Sequence, residues 1–154
     1  MDNDETAQPR GCTNLKLRQL SRRVTRHYEG YLVPTGLKIT QYSLLSHVVK
    51  LGPLRAGDLA AVMQLDASTL TRNLLPLLQQ GWVQVHADAA DARSRLVEAT
   101  DAGRALRQKA QRSWKQAQQA LNARLGTARV AALHALLDEC LHELADEALE
   151  PTDV

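Results

Sequence analysis

Phenylalanine is absent from these 154 residues, and two Trp and three Tyr are the whole aromatic content, 3% of the chain. A core without large rings must be built from Leu, Val and Ala, the residues of helix-rich packing. Cysteine is almost as scarce: Cys12 and Cys140 lie far apart and form no C-x-x-C pair. That excludes a sequence-readable zinc site and points to a reducing compartment. No run of 18 or more apolar residues occurs, and the opening MDNDETAQPRG is acidic and polar. Neither a membrane span nor a signal peptide is expected, and a cytoplasmic protein is. A phosphate-cradling glycine loop, a nucleophile elbow and an H-E-x-x-H pair are all missing, so the chain reads as no enzyme, with no cofactor and no metal. The five histidines, His27, His47, His86, His134 and His142, are scattered; only His134 and His142, eight apart on one helix, leave a metal between two copies open.

What is present is apolar content of 44%, enough for one compact domain, and an uneven charge. The formal net charge is +2, yet residues 1–10 hold three acids and one base, and residues 138–154 hold seven acids and no base. The 18 bases and 7 acids that remain give residues 11–137 a formal +11. A basic body favours a polyanion through counterion release, while acidic ends keep the protein soluble. Solvated helix faces also carry Lys and Arg, so charge alone does not establish a nucleic-acid partner.

Periodicity gives a mostly α chain with a small β-hairpin, in the order α-α-α-α-β-β-α-α. Thr13 or Asn14 caps a helix to about Leu32, with Leu17, Leu20, Val24, Tyr28 and Tyr31 at helical spacing before Pro34-Thr35-Gly36. Further helices run from Thr40 to Gly52-Pro53, from about Arg55 to Met63, and from an Asp66 cap to about residue 80. Short strands at Val83–Val85 and Leu96–Val97 flank a loop from Ala87 to Ser94, and helices from Asp101 to about Leu125 and from Thr127 to about Leu149 close the chain. Residues 1–11 read as a disordered arm, 12–149 as a single domain and 150–154 as a tail.

The helix after Asp66 has two faces. With Ser68 at zero and about 100° per residue, Leu70, Leu74, Leu77 and Leu78 fall at about 180° to 280°, while Gln79, Arg72, Pro76 and Thr69 fall at about 20° to 100°. Short hydroxyls and one arginine opposite a leucine stripe suit a recognition helix, and the preceding helix ends only a turn earlier. Arg72 can grip guanine with two hydrogen bonds, worth about 1–3 kcal/mol of discrimination, and Ser68, Thr69, Thr71 and Asn73 can reach bases or phosphates. The plainer reading is a capped surface helix. At the hairpin tip, Arg93 and Arg95 suit a minor groove, where negative potential is focused, and Asp91 is expected to hold one of them in an ion pair. As an alternative, Asp91 and Arg95 simply pair across an exposed turn.

These residues meet in a family pattern. Ala60 and Leu65 flank the turn, and Ser68-Thr69-Leu70-Thr71-Arg72, Leu77 and Gly81-Trp82-Val83 follow. The wing Asp91-x-Arg93-Ser94-Arg95 leads into Leu96-Val97-x-Ala99-Thr100-x-x-Gly103, and Gly36-Leu37-x-x-x-Gln41-Tyr42-x-Leu44-Leu45 precedes them. Over residues 12–145 the chain resembles the MarR family of winged-helix transcriptional regulators. The resemblance implies a homodimer, interlocked through helices 13–33 and 101–149, that offers two winged helix-turn-helix lobes (37–100) to a pseudo-palindromic operator in double-stranded DNA. Val130, Leu133, Leu136, Leu137, Leu141 and Leu144 independently make a long terminal stripe that suits a second copy. Paired recognition helices would then stand about 34 Å apart, one turn of DNA.

The resemblance also implies control by a signal, and a repressor released by a small aromatic or phenolic acid is the expectation. Arg22, Arg26, His27, Tyr31, Tyr42 and His47 are the ligand candidates, offering cations, imidazoles and phenols on the first two helices. Packing is the plainer role for Tyr28 and Tyr31, and a solvated or phosphate-facing surface for Arg22, Arg23 and Arg26. A rival reading is thiol-based redox sensing, because a peroxide-sensing branch of that family places a cysteine near the start of its first helix, where Cys12 stands. The spacing from Cys12 to Tyr28 departs from that branch by about two residues, and Ile39 stands where its supporting tyrosine would. Cys140, among leucines, is expected to be a buried small hydrophobe. A non-catalytic helical adaptor remains the other class, but it leaves the basic wing without a purpose.

Overall fold

The computed structural model describes residues 8–145. Most of the expected N-terminal arm, the stretch 146–149 of the expected last helix and the tail 150–154 lie outside them. Six helices and three strands follow in the order α1 (Thr13–Leu32), α2 (Ile39–Leu51), β1 (Leu54–Arg55), α3 (Ala56–Met63), α4 (Ala67–Gln79), β2 (Val83–Ala87), β3 (Arg95–Ala99), α5 (Asp101–Leu125) and α6 (Thr127–Glu143). The chain divides into two compact units between Trp114 and Lys115. No helix among the described residues is long and apolar enough to cross a membrane.

In the first unit α1 starts from Cys12, whose side chain makes no cap hydrogen bond, rather than from a Thr13 or Asn14 cap. It ends at Leu32, and the 3-10 turn Val33–Thr35 that follows closes where Gly36 takes a left-handed φ of 73°, with the buried Thr35 hydroxyl donating to the Leu32 carbonyl at 2.6 Å. Of the expected apolar stripe of α1, Tyr28 is buried and Val24 half-buried, while Leu17, Leu20 and Tyr31 are exposed. α2 opens with the Gln41 side chain accepting from the Lys38 backbone N–H at 2.9 Å, and it feeds Tyr42, Leu44, Leu45 and Val48 into the core. Leu59, Leu70, Leu74, Leu77, Val83, Val97 and Ala110 complete that core, so Leu and Val do fill the space that aromatics would.

The hairpin belongs to a three-stranded antiparallel sheet in the order β1-β3-β2. Val85 faces Val97 and Ala87 faces Arg95, while Leu54 and Arg55 of β1 pair with Val97 and Leu96. β1 escapes a periodicity reading because two residues are too short to alternate. β2 and β3 also outlast their apolar stretches, since pairing continues wherever backbone groups face one another. Arg95 therefore lies in a strand and not in the loop. Thr100 clasps the foot of the hairpin, its hydroxyl donating to the Gly81 carbonyl at 2.6 Å and its N–H to the Trp82 carbonyl at 3.0 Å. Gly103 is buried against that same Trp82 carbonyl oxygen, where an added Cβ would collide.

The second unit holds the end of α5 and α6, joined at Gly126, whose φ of 88° suits a residue without a Cβ. Val130 is buried, but Leu136, Leu141 and Leu144 are 52–61% exposed. Cys140, expected to be buried, is exposed in the single chain. α6 ends at Glu143 with Leu144 as its C-cap, short of the expected Leu149.

Candidate nucleic-acid interface

α3 and α4 are joined by the three residues Gln64, Leu65 and Asp66. Gln64 takes a left-handed φ of 53°, turning the chain sharply, and the Leu65 N–H donates to the Ala60 carbonyl at 2.9 Å. Asp66 then saturates the start of α4. Its carboxylate accepts from the Thr69 N–H at 2.7 Å, the Ser68 hydroxyl at 2.6 Å and the Thr69 hydroxyl at 2.7 Å. The Ser68 hydroxyl, then the Thr69 hydroxyl and N–H, hold the Asp66 carboxyl well below the usual carboxylate range.

These bonds change what the recognition face offers. With their hydrogens given to Asp66, Ser68 and Thr69 meet a partner as acceptors, and Thr71 gives its own hydrogen to the Ala67 carbonyl at 2.8 Å. Arg72 is exposed and, among the described residues, has no ion-pair partner. Asn73 is half-buried beside it. At the far end Gly81, with φ 72°, lets the Trp82 N–H donate back to the Leu77 carbonyl at 3.0 Å and the Gly81 N–H to Leu78 at 3.1 Å. Such a left-handed close directs the chain straight into β2.

The wing loop is organised by two aspartates. Asp88 accepts from the Ala90 N–H at 2.9 Å, while Asp91 accepts from the Arg93 N–H at 3.1 Å and the Ser94 hydroxyl at 3.0 Å. Chiefly the Arg93 N–H, then the Ser94 hydroxyl and the nearby Arg55 guanidinium, lower the Asp91 carboxyl below its ordinary range. The expected ion pair of Asp91 with Arg93 or Arg95 does not form. Its cationic neighbour is Arg55, whose guanidinium lies 3.4 Å from Asp88 and 3.9 Å from Asp91. Asp91 engages Arg93 through the backbone, so both Arg93 and Arg95 remain exposed and free of ion pairs among the described residues. Arg55 carries no sequence signal for this role, because only β1 pairing brings it beside a loop 33 residues away.

The ligand candidates divide. Tyr42 and His47 line a cavity of about 370 Å³ together with Tyr28, Ser46, Lys50, Arg107 and Trp114. Tyr42 and Trp114 stack with ring centroids 6.2 Å apart, and His47 Nδ1 is 2.8 Å from the Ser43 carbonyl. Among the described residues, the buried Ser46 hydroxyl and the buried Arg107 Nε have no hydrogen-bond partner. Arg22 and Arg26 point elsewhere, exposed on α1, and His27 packs its ring on Tyr31 at 5.3 Å outside the cavity. Tyr28 is buried, whereas Tyr31 is 37% exposed. Arg107 and Trp114 come from α5 and were invisible to a search confined to the first two helices. Cys12 is exposed at the start of α1. Among the described residues no three His, Cys, Asp or Glu side chains gather to hold a metal, and His134 and His142 are both exposed.

A helix-turn-helix followed by a braced β-ribbon, each presenting free arginine, defines a winged helix-turn-helix. The MarR family model matches residues 37–94, the stretch from the start of the helix-turn-helix lobe to the wing. The multiple antibiotic resistance protein MarR of Salmonella typhimurium is 32% identical over 117 residues, covering 75% of this chain and 81% of that protein. Among solved structures, a probable transcriptional regulator from Pseudomonas aeruginosa superposes with a TM-score of 0.77 at 26% identity, over 83% of this chain and 96% of the other. The M. tuberculosis regulator MosR in complex with DNA gives 0.69 at 32% identity, over 84% and 98%. A mutant E. coli MarR complexed with operator DNA gives 0.75 at 25% identity, over 83% and 92%. The chain belongs to the MarR family of winged-helix transcriptional regulators.

Proposed function

We propose that this protein is a homodimeric, non-catalytic repressor that occupies a pseudo-palindromic DNA site, with α4 in the major groove and the wing over the adjacent minor groove. The observation that carries this reading is the division of labour among charges on the lobe. Asp66, Asp88 and Asp91 are engaged within the protein, while Arg72, Arg93 and Arg95 stand free on two neighbouring elements. The exposed Leu17 and Leu20, which share a face of α1, and the exposed Leu136 and Leu141 of α6 with Leu144 at its C-cap support a second copy, because so much apolar surface is costly in water. The DNA complexes of MosR and E. coli MarR support a duplex as the partner.

Arg72→Ala should relax sequence preference at one base pair by about 1–3 kcal/mol, whereas Arg93→Ala should weaken binding to many sequences and reduce the salt slope by about one. Equilibrium binding to a protected promoter fragment over a range of salt separates the two. Unchanged affinity, preference and slope in both variants would sink the groove assignments.

For the signal, the cavity beside Tyr42 and His47 suits a small aromatic acid. Tyr42 and Trp114 supply flat apolar walls, and the unpartnered Ser46 hydroxyl and Arg107 Nε supply donors for a carboxylate. Benzoate, as the probe, should quench Trp114 fluorescence and release the operator, and Arg107→Leu should abolish both effects; release that persists in this variant places the signal elsewhere.

A further inference from the structure

One apolar side chain interrupts the polar face of α4. Leu75 is 52% exposed, although Leu70, Leu74 and Leu77 on the same helix are buried. On the wheel with Ser68 at zero it falls at about 340°, between Thr71 at about 300° and Gln79 at about 20°, with Arg72 at about 40°. Thr71, Arg72 and Gln79, its helical neighbours at three and four residues, are all exposed. Leu75 therefore belongs to the outward face and stands outside the core stripe. Beside the donors of Arg72 and Gln79, two adjoining groups offer none. Thr71 has given its hydroxyl hydrogen to the Ala67 carbonyl, and Pro76, the next residue, has no N–H.

An apolar side chain in this position gains burial only when something covers it. The major groove presents one apolar group at base level, the C5-methyl of thymine. We propose that Leu75 is a specificity-determining residue that packs on a thymine methyl in each half-site. The thymine lies one or two base pairs from the base that Arg72 contacts, since the axial offset between the two residues is about 4.5 Å and a base step about 3.4 Å. This inference rests on the placement of α4 in the major groove. Continuity with the free Arg72 guanidinium favours DNA over another protein surface, because a protein patch on Leu75 would bury that cation too.

The test is a methyl deletion that leaves base pairing intact. Each dT of the protected operator is replaced singly by dU, and equilibrium binding is measured at fixed salt for the parent protein, Leu75→Ala and Arg72→Ala. One symmetry-related position should weaken the parent about three- to fivefold on loss of its methyl. Leu75→Ala should bind the dT and dU operators equally at that position, while Arg72→Ala keeps the methyl sensitivity and loses preference at a neighbouring base pair. Leu75→Ala should also melt and elute from gel filtration like the parent, because its side chain is already half in water. If no dU position matters, or if the sensitivity survives in Leu75→Ala, while Arg72→Ala still loses its preference, Leu75 reads no thymine and the groove assignment stands. If Arg72→Ala matches the parent in preference, both assignments fall together. A Leu75→Ala protein that changes oligomeric state and shows no methyl effect assigns the residue to a protein contact and overturns the inference.

Discussion

α4 is anchored by Leu70, Leu74 and Leu77, all at most 5% exposed, whereas the wing loop at 88–94 contains no buried side chain. Its shape comes from Asp88 and Asp91 bonding to backbone N–H groups and to the Ser94 hydroxyl, with Arg55 alongside. Both elements hold arginines toward solvent, but by different forces. Apolar burial barely responds to salt or pH and ties α4 to the stability of the whole lobe. Polar bonds at the surface respond to both and let the wing loosen without unfolding the rest. A regulator with this division keeps a rigid reader of bases beside an adjustable clamp.

The comparison breaks first at its strongest point. Leu77→Ala removes a side chain that is 0% exposed and should destabilise the lobe by about 2–5 kcal/mol in denaturant melts, while the wing amides near 88–94, which exchange by local opening, keep their rates. Stability within a few tenths of the parent would mean that α4 is not held by burial.

Arg55→Ala probes the wing instead. Its pair with Asp88 is half in water, so about 0.2–1 kcal/mol is at stake and the global melt should hardly move. Hydrogen exchange should nevertheless quicken across 88–94, and DNA affinity should fall modestly while base preference at the Arg72 position is kept. An unchanged exchange rate in the wing would remove Arg55 from the brace.

The smallest effect is in acid. The Asp66 and Asp91 carboxyls titrate lower in the folded protein than in the unfolded chain, so the stability they add is complete above the ordinary carboxylate range. It is lost as the pH falls through the lowered folded-state values. Asp66→Asn keeps a capping side chain, and should therefore be slightly less stable than the parent at pH 7, with the difference closing in strong acid. A gap that widens on acidification would reverse the sign and refute the cap as its source.

Local features were the legible ones. The leucine stripe of α4, its Asp66 cap, and the starts of α5 at Asp101 and α6 at Thr127 follow from periodicity and capping chemistry, which act within a turn or two. Sequence reasoning also found Tyr42 and His47 of the cavity, both on α2, but added Arg22, Arg26, His27 and Tyr31, which α1 carries outside it. Helical phase says which residues share a face and not which face meets a cavity.

The sequence by itself determined that a hydroxyl-and-arginine helix would be followed by an arginine ribbon on a basic body, because spacing and charge are properties of the chain. Only tertiary structure decided the partners of the acids. Asp91 met Arg55 instead of Arg93 or Arg95 because a two-residue strand, too short to leave a pattern, paired with β3 and carried a distant guanidinium to the loop. The same holds for Arg107 and Trp114, which reach Tyr42 and Ser46 by packing between helices far apart in the chain. Contacts of that kind depend on how elements settle on a shared core, and no local pattern encodes them.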